Sequence, residues 1–367
     1  MTLPPPRFPS EALLRWYAGH ARNLPWRESA DPYAVWVSEI MLHQTRVDTA
    51  LPYYRRFLAR FPDVHTLAAA DLSDILKLWE GLGYYRRAQN LHRAAQIVVA
   101  RHGGAFPASW EALRALPGVG DYTAGAILSI AFGQDCPAVD GNAARVLARW
   151  AALEEPIDTA RGLAAVRRWA QQALPLGRAG AFNQALMDLG AAVCRPRKPP
   201  CEACPLGATC SARLAGRQGE LPRRTPRRGT PHYQVTAALL VREGQLLIAQ
   251  RPAESMLGGL WEFPGGKQEE GETLPQCLQR EILEELALEI AVGEPFMALD
   301  HAYTHFRITL HTFWCTLLRA DQTPRCQGCN DWRWVQPEQL VAFPLSAADR
   351  RIANALQRAQ RLTDQVE

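Results

Sequence analysis

Leu116-Pro117-Gly118-Val119-Gly120 is followed at once by a run of small and apolar residues, Thr123–Ile130. Glycines at this spacing let a backbone turn approach a partner closely, and the helix that follows opens with unpaired N–H groups. Such a turn can seat a phosphate on a helix N-terminus, although a plain helix–turn–helix joint in a core has the same look. Outward from this stretch, residues 10–210 read as helical. Apolar residues recur at intervals of three and four in Ser38–Phe61 and Asp71–Trp79, and strand patterns are absent.

Cys194, Cys201, Cys204 and Cys210 follow within seventeen residues, at the spacing C-x6-C-x2-C-x5-C. Four soft thiols can converge on one inorganic centre, a tetrahedral zinc or an iron–sulfur cluster. Zinc sites more often pair two C-x2-C hooks, so the uneven outer gaps favour a 4Fe-4S cluster. A disulfide framework is not expected, because the start MTLPPPRFPS has no secretory pattern and the composition is that of a cytoplasmic chain of bacterial type.

The 367 residues are enough for two domains, and 47% apolar content supplies their cores without any run long enough for a membrane span. A net charge of +4 does not make the whole chain a polyanion binder. Locally, Arg213–Arg228 holds six arginines against Glu220. Such a stretch is either a solvated linker or a strand that lies along phosphates. Beyond it the period changes from 3.6 to 2. Gln234–Val241 and Gln245–Gln250 read as strands around a Glu243–Gly244 turn, Leu274–Leu286 as a charged helix, and Phe306–Leu317 and Trp332–Val335 as further strands. The predicted division is 1–215, a basic linker 216–231, and 232–362.

Two carboxylates stand out in the helical half. Glu39 interrupts the apolar face Val37–Leu42, and Asp140 lies between Pro137 and an apolar helix. A carboxyl buried in apolar surroundings has a raised pKa and becomes a candidate acid, while a second carboxylate can stabilise or trap a sugar cation. The structural alternatives are a surface or ion-paired Glu39 and a helix-capping Asp140.

With Leu24-Pro25-Trp26-Arg27, Asp31–Thr45, Gly81–Arg86, Leu116–Ile127 and Phe182–Cys194, these features resemble the helix-hairpin-helix DNA glycosylases, and within them the adenine DNA glycosylase family, over about residues 8 to 345. The resemblance implies a mainly α N-terminal half, made of two helical subdomains and an iron–sulfur loop, and an α+β Nudix-like C-terminal domain. It implies a monomeric enzyme that excises adenine opposite 8-oxoguanine or guanine from double-stranded DNA, after flipping the base out of the helix. Glu39 would protonate the five-membered ring of the leaving purine, Asp140 would stabilise the deoxyribosyl cation, and Tyr122 and Asn142 would orient Asp140 and the sugar. Arg22, Trp26, Leu42, Gln184 and Met187 match the adenine pocket. Gln44 and Tyr84 match residues that fill the gap in the duplex, and Leu116, Gly118 and Gly120 match the DNA-binding hairpin. The family's Gln-Gln is His43-Gln44 here, and an imidazole can still donate a hydrogen bond to the lesion strand. Strand-cutting relatives carry a lysine two residues after the second hairpin glycine. Here that position is Tyr122, and no lysine lies between 78 and 197, so a Schiff base from this hairpin is excluded and the chain reads as a monofunctional glycosylase.

Gly266-x5-Glu272-x7-Arg280-Glu281-Ile282-x-Glu284-Glu285-x-Ala287-Leu288 resembles the Nudix box. Glu281, Glu284 and Glu285 share one helix face, where Mg²⁺ is the fitting counter-ion. The departure is Ala287, where the pattern has glycine: a positive φ there would cost alanine about 1 kcal/mol. Two roles stay open, a retained scaffold and an active hydrolase of oxidised nucleotides. Tyr303, Thr304 and His305 match the family's lesion-reading hairpin, and an amphipathic strand is the alternative. A further alternative for the whole chain is a non-catalytic binder of damaged DNA, against which Glu39, Tyr122, Asp140 and Asn142 together argue. Cys326-x2-Cys329 reads as a loop, and Cys136, Cys277 and Cys315 as buried small residues.

Overall fold

The computed structural model describes residues 7–226 and 229–363, the side chains beyond 359 excepted. The chain divides into two compact units, Met1–Ala68 with Arg93–Arg227, and Ala69–His92 with Arg228–Glu367. Among the described residues, no helix is long and apolar enough to cross a membrane.

The first unit is helical: α1 (Ser10–His20), α2 (Pro32–Leu42), α3 (Val47–Arg60) and α4 (Val64–Ala68) precede the excursion into the second unit. That excursion holds α5 (Leu72–Trp79) and the start of α6 (Arg86–His102). There follow α7 (Trp110–Arg114), α8 (Asp121–Ile130), α9 (Gly141–Trp150), α10 (Ala160–Ala173), α11 (Ala179–Ala192) and α12 (Ser211–Leu214). Local chemistry fixes the starts. Asp31 caps α2, accepting from the Tyr33 and Ala34 amides at 3.1 and 3.2 Å, with Pro32 preset for the first turn. Thr159 caps α10 in the same way. The run 38–61, helical by its spacing, breaks at His43–Arg46, where Gln44 takes a left-handed φ of 59°.

Helices α2 and α11 carry nearly unbroken apolar sequence and are buried on almost every side. Around α9 and α11 gather Phe8, Leu13, Leu147, Trp150, Phe182, Leu186 and Leu189. Phe8 meets Trp150 edge-on at 4.9 Å. Gly125 on α8 lets Pro137 pass so closely that a Cβ would sit 2.2 Å from its carbonyl oxygen, and this draws the loop before Asp140 onto α8. The basic stretch after Cys210 is docked rather than freely solvated. Arg217 and Arg223 pair with Glu154, Thr225 bonds Asp158, and the Ile157 amide donates to the Arg223 carbonyl at 3.0 Å.

In the second unit a mixed sheet holds β1 (His232–Arg242), β2 (Gln245–Gln250), β3 (Trp261–Glu262), β4 (Ile290–Ala302), β5 (Arg307–Leu317) and β6 (Asp331–Val335). The order is β3-β2-β1-β5-β4, with β6 on β2 and with β1 and β5 parallel. Glu243 and Gly244 close the first hairpin with φ of 51° and 76°, the primed-turn geometry that suits strand twist. α13 (Leu274–Leu286) covers one face through Leu278, Ile282 and Leu286, and α14 (Ala347–Thr363) covers the other through Ile352 and Leu356.

Candidate active site

Glu39 is 4% exposed, near the C-terminal end of α2. This removes the surface alternative. Burial pushes its carboxyl up to about 7, helped by the charge of Asp140 and opposed by the Tyr122 bond and by Arg27. Tyr122, in the first turn of α8, donates its hydroxyl to Glu39 Oε2, and Met187 Sδ lies 3.7 Å from the Tyr122 hydroxyl oxygen. His43, the C-cap of α2, touches Thr123 through Nε2 at 3.1 Å, and its ring stands 5.8 Å from that of Tyr122.

Asp140 caps α9 and is part of this cluster as well. It accepts from the Ala143 amide at 2.7 Å and from Asn142 Nδ2 at 2.9 Å. Burial raises its pKa and these bonds lower it, with a net rise. Its charge acts on both Glu39 and Tyr122. Asn142 therefore orients Asp140, whereas the Tyr122 hydroxyl goes to Glu39. Asn142 in turn accepts from Arg145 at 2.8 Å, and Gly190 passes so close that a Cβ would sit 2.6 Å from Asn142 Cβ.

Of the predicted pocket residues, Trp26 is buried edge-on against Tyr54 at 5.1 Å. Leu42 ends α2, and Gln184 and Met187 lie on α11, where Gln184 bonds back to the Gly180 carbonyl at 3.2 Å. Arg22 is held by Asp188, a residue the sequence reading missed along with the site role of Arg27. Asp188 is 1% exposed and takes both guanidinium groups, from Arg27 at 2.7 and 3.0 Å and from Arg22 at 2.7 Å. The missed signal is the one that marks Glu39, a carboxylate inside an apolar helical run.

The hairpin residues take the expected turn. Leu116 is buried, Gly118 has φ of 77°, and Gly120 precedes α8 as its N-cap. Gln44 is exposed. In the second unit, Tyr84 is 43% exposed with φ of 50°, and its hydroxyl meets Thr304 Oγ1 at 2.7 Å. Tyr303–Phe306 is the turn between β4 and β5, not a strand. Thr304 and His305 are exposed at its tip, and the Tyr303 ring lies tilted against that of Phe306 at 4.8 Å.

The four thiols of 194–210 are unpaired and half-buried. Arg149 Nη1 lies 3.4 Å from Cys194 Sγ, and Cys204 and Cys210 each feel the other three thiols or two of them. Among the described residues, no three His, Cys, Asp or Glu close into a group that could hold a metal ion, either here or at Glu281, Glu284 and Glu285. Arg280 instead pairs with Glu272, Glu281 and Glu284. Ala287 does take the left-handed conformation, φ 56° and ψ 36°. Cys326–Cys329 is a loop as expected, but against the expectation of no disulfides the two are bonded, with Cα atoms 5.0 Å apart. That turn caps α13, because the Gln327 amide donates to the Glu285 carbonyl at 2.9 Å and the Arg325 amide to the Leu286 carbonyl at 2.8 Å.

Residues 37–171 match the HhH-GPD superfamily of base excision DNA repair proteins, and 236–355 match the NUDIX domain. The chain is 34% identical over 95% of its length to the adenine DNA glycosylase of Homo sapiens, 74% of which is covered. It is 32% identical over 81% of its length to that of Buchnera aphidicola from Acyrthosiphon pisum, of which 83% is covered. A thermostable thymine-DNA glycosylase structure superposes with a TM-score of 0.51 at 30% identity, over 56% of this chain and 95% of that one. Two helical and Nudix-type units, a buried acid beside a second carboxylate, and this likeness over nearly the whole length have one reading: the chain belongs to the adenine DNA glycosylase family of base excision repair enzymes.

Proposed function

We propose that the enzyme hydrolyses the N-glycosyl bond of adenine placed opposite 8-oxoguanine, or guanine, in duplex DNA. The observation that carries this is Glu39, a buried carboxyl pushed up to about 7 by its burial and bonded to Tyr122. Glu39 gives its proton to the five-membered ring of the flipped adenine, which leaves as a neutral base. Asp140, pointed by Asn142 and the Ala143 amide, offers its carboxylate to the deoxyribosyl cation until water adds. Arg22, Trp26, Leu42, Gln184 and Met187 line the adenine side. Gln44, His43 and the Leu116–Gly120 hairpin bear on the DNA backbone and the vacated space. Tyr84, Tyr303, Thr304 and His305 read the oxidised guanine, and the exposed turn with a hydroxyl at its tip suits that role.

Cys194, Cys201, Cys204 and Cys210 would hold a 4Fe-4S cluster, for which four soft thiol donors beside the Arg149 guanidinium are a fitting set. Bound there, it would brace the exposed loop of Arg195, Arg197 and Lys198, since hydrolysis needs no electron transfer.

A second reading adds hydrolysis of oxidised nucleoside triphosphates by the Nudix-like unit. In its favour, burial and the neighbouring Glu281 push Glu285 up to about 7, a repulsion that Mg²⁺ would relieve. Arg280 already neutralises that face, so the first reading stands ahead.

The test is a product assay on a duplex with adenine opposite 8-oxoguanine. Free adenine, a strand that breaks only after alkali, and no borohydride-trapped adduct are expected. Direct strand cleavage with a trapped adduct would sink the hydrolytic reading.

A further inference from the structure

Asp188 is a buried charge that the chemistry above does not use. It lies on α11 beside Met187, whose sulfur touches the Tyr122 hydroxyl, and Tyr122 donates to Glu39. Its carboxylate is filled: Arg27 grips both oxygens at 2.7 and 3.0 Å, and Arg22 adds Nε at 2.7 Å and its own amide at 3.3 Å. Arg27 is further fixed by the Arg22 carbonyl at 3.3 Å and by the Tyr17 ring at 5.7 Å. It belongs to the Pro25–Arg27 turn, which packs against α2. The charged and titratable groups around Glu39 can be named. Tyr122 comes from α8, Asp140 from the head of α9, and Arg27 from the turn. His43 caps the end of its own helix. From α3 comes Tyr54, buried on Trp26, while Asp48, Arg55, Arg56 and Arg60 are exposed. α11 brings Asp188.

We propose that Asp188 is a positioning residue for base excision: it clamps Arg22 and Arg27 at the adenine side of the site and cancels one of their two charges, so setting the pH up to which Glu39 keeps its proton. The inference rests on Glu39 being the acid. Two guanidinium groups and one carboxylate leave one net positive charge beside the site. Asparagine would leave two while its amide oxygen still accepts from Arg27. A nearby positive charge favours the ionised carboxyl, so Glu39 would lose its proton at lower pH.

The test is single-turnover excision of adenine opposite 8-oxoguanine by the full, cluster-loaded chain across neutral pH. For Asp188→Asn, the alkaline limb should move down by about one pH unit, with the plateau at lower pH kept to within about tenfold. The double variant Arg22→Gln/Asp188→Asn restores the charge sum and should bring the limb back. Should Asp188→Asn fail to fold, Arg22→Gln alone, at a side chain 37% exposed, should move the limb upward. A limb that stays put in these variants while Glu39→Gln abolishes excision would overturn the role of Asp188 alone. Wild-type excision by Glu39→Gln would overturn the acid reading, and this inference with it.

Discussion

Replacing Glu39 with glutamine should stabilise the protein at alkaline pH and leave it almost unchanged near pH 4. The carboxyl titrates at about 7 in the fold against an ordinary 4.5. Between those values the folded chain holds a proton that the unfolded chain has released, so stability falls as pH rises and levels off above the folded value. Glutamine cannot ionise, and its oxygen still accepts from Tyr122. The gap between the two values, at about 1.4 kcal/mol per pH unit, is worth about 3 kcal/mol. In a unit of this size that corresponds to a rise of about 6 °C or more in the midpoint of its thermal transition. Melting both proteins at two pH values, one near 4 and one above 8, and subtracting twice removes whatever the substitution does at every pH. Equal gaps at the two pH values would refute the reasoning, because they would mean that Glu39 titrates as an ordinary carboxyl.

Ala287→Gly should stabilise the Nudix-like unit by about 1 kcal/mol, since φ at this position is 56°, and a higher denaturant midpoint for that unit checks it. Gly190→Ala should destabilise the helical unit by about 2 kcal/mol and slow excision, because the new methyl lands 2.6 Å from Asn142 Cβ; melting and single-turnover rates read both effects. Thr304→Ala removes the hydroxyl that Tyr84 contacts. It should cut the preference for 8-oxoguanine over guanine opposite adenine by about fivefold, a hydrogen bond's worth, measured as a ratio of excision rates. 8-oxo-dGTP with Mg²⁺ should give no hydrolysis that Glu284→Gln abolishes, and turnover lost in that variant would establish the second reading.

Much of the C-terminal fold is legible because its local signals agree. The α13 bounds follow from Thr273 and Gln276 forming a capping box, Pro275 in the first turn, and an apolar stripe that ends where Ala287 turns left-handed. Strand β4 is not legible, since Gly293 and Pro295 interrupt its alternation. It is an edge strand with register shifts around Pro295, where proline costs little. In the helical unit the apolar context of Glu39 foretells its burial. Asp188 carries the same signal, but nothing local reveals that Arg22 closes on it across 166 residues. The bonded pair Cys326–Cys329 escaped because the expectation of a cytoplasmic chain argued against disulfides, whereas a tight turn brings the two together whatever the surroundings.

The most direct measurement is the single-turnover rate of adenine release from a duplex with 8-oxoguanine opposite, for wild type and Glu39→Gln, alongside the duplex affinity of each. The account predicts unchanged affinity and a rate lower by about a hundredfold or more. A Glu39→Gln protein that releases adenine at the wild-type rate would contradict it.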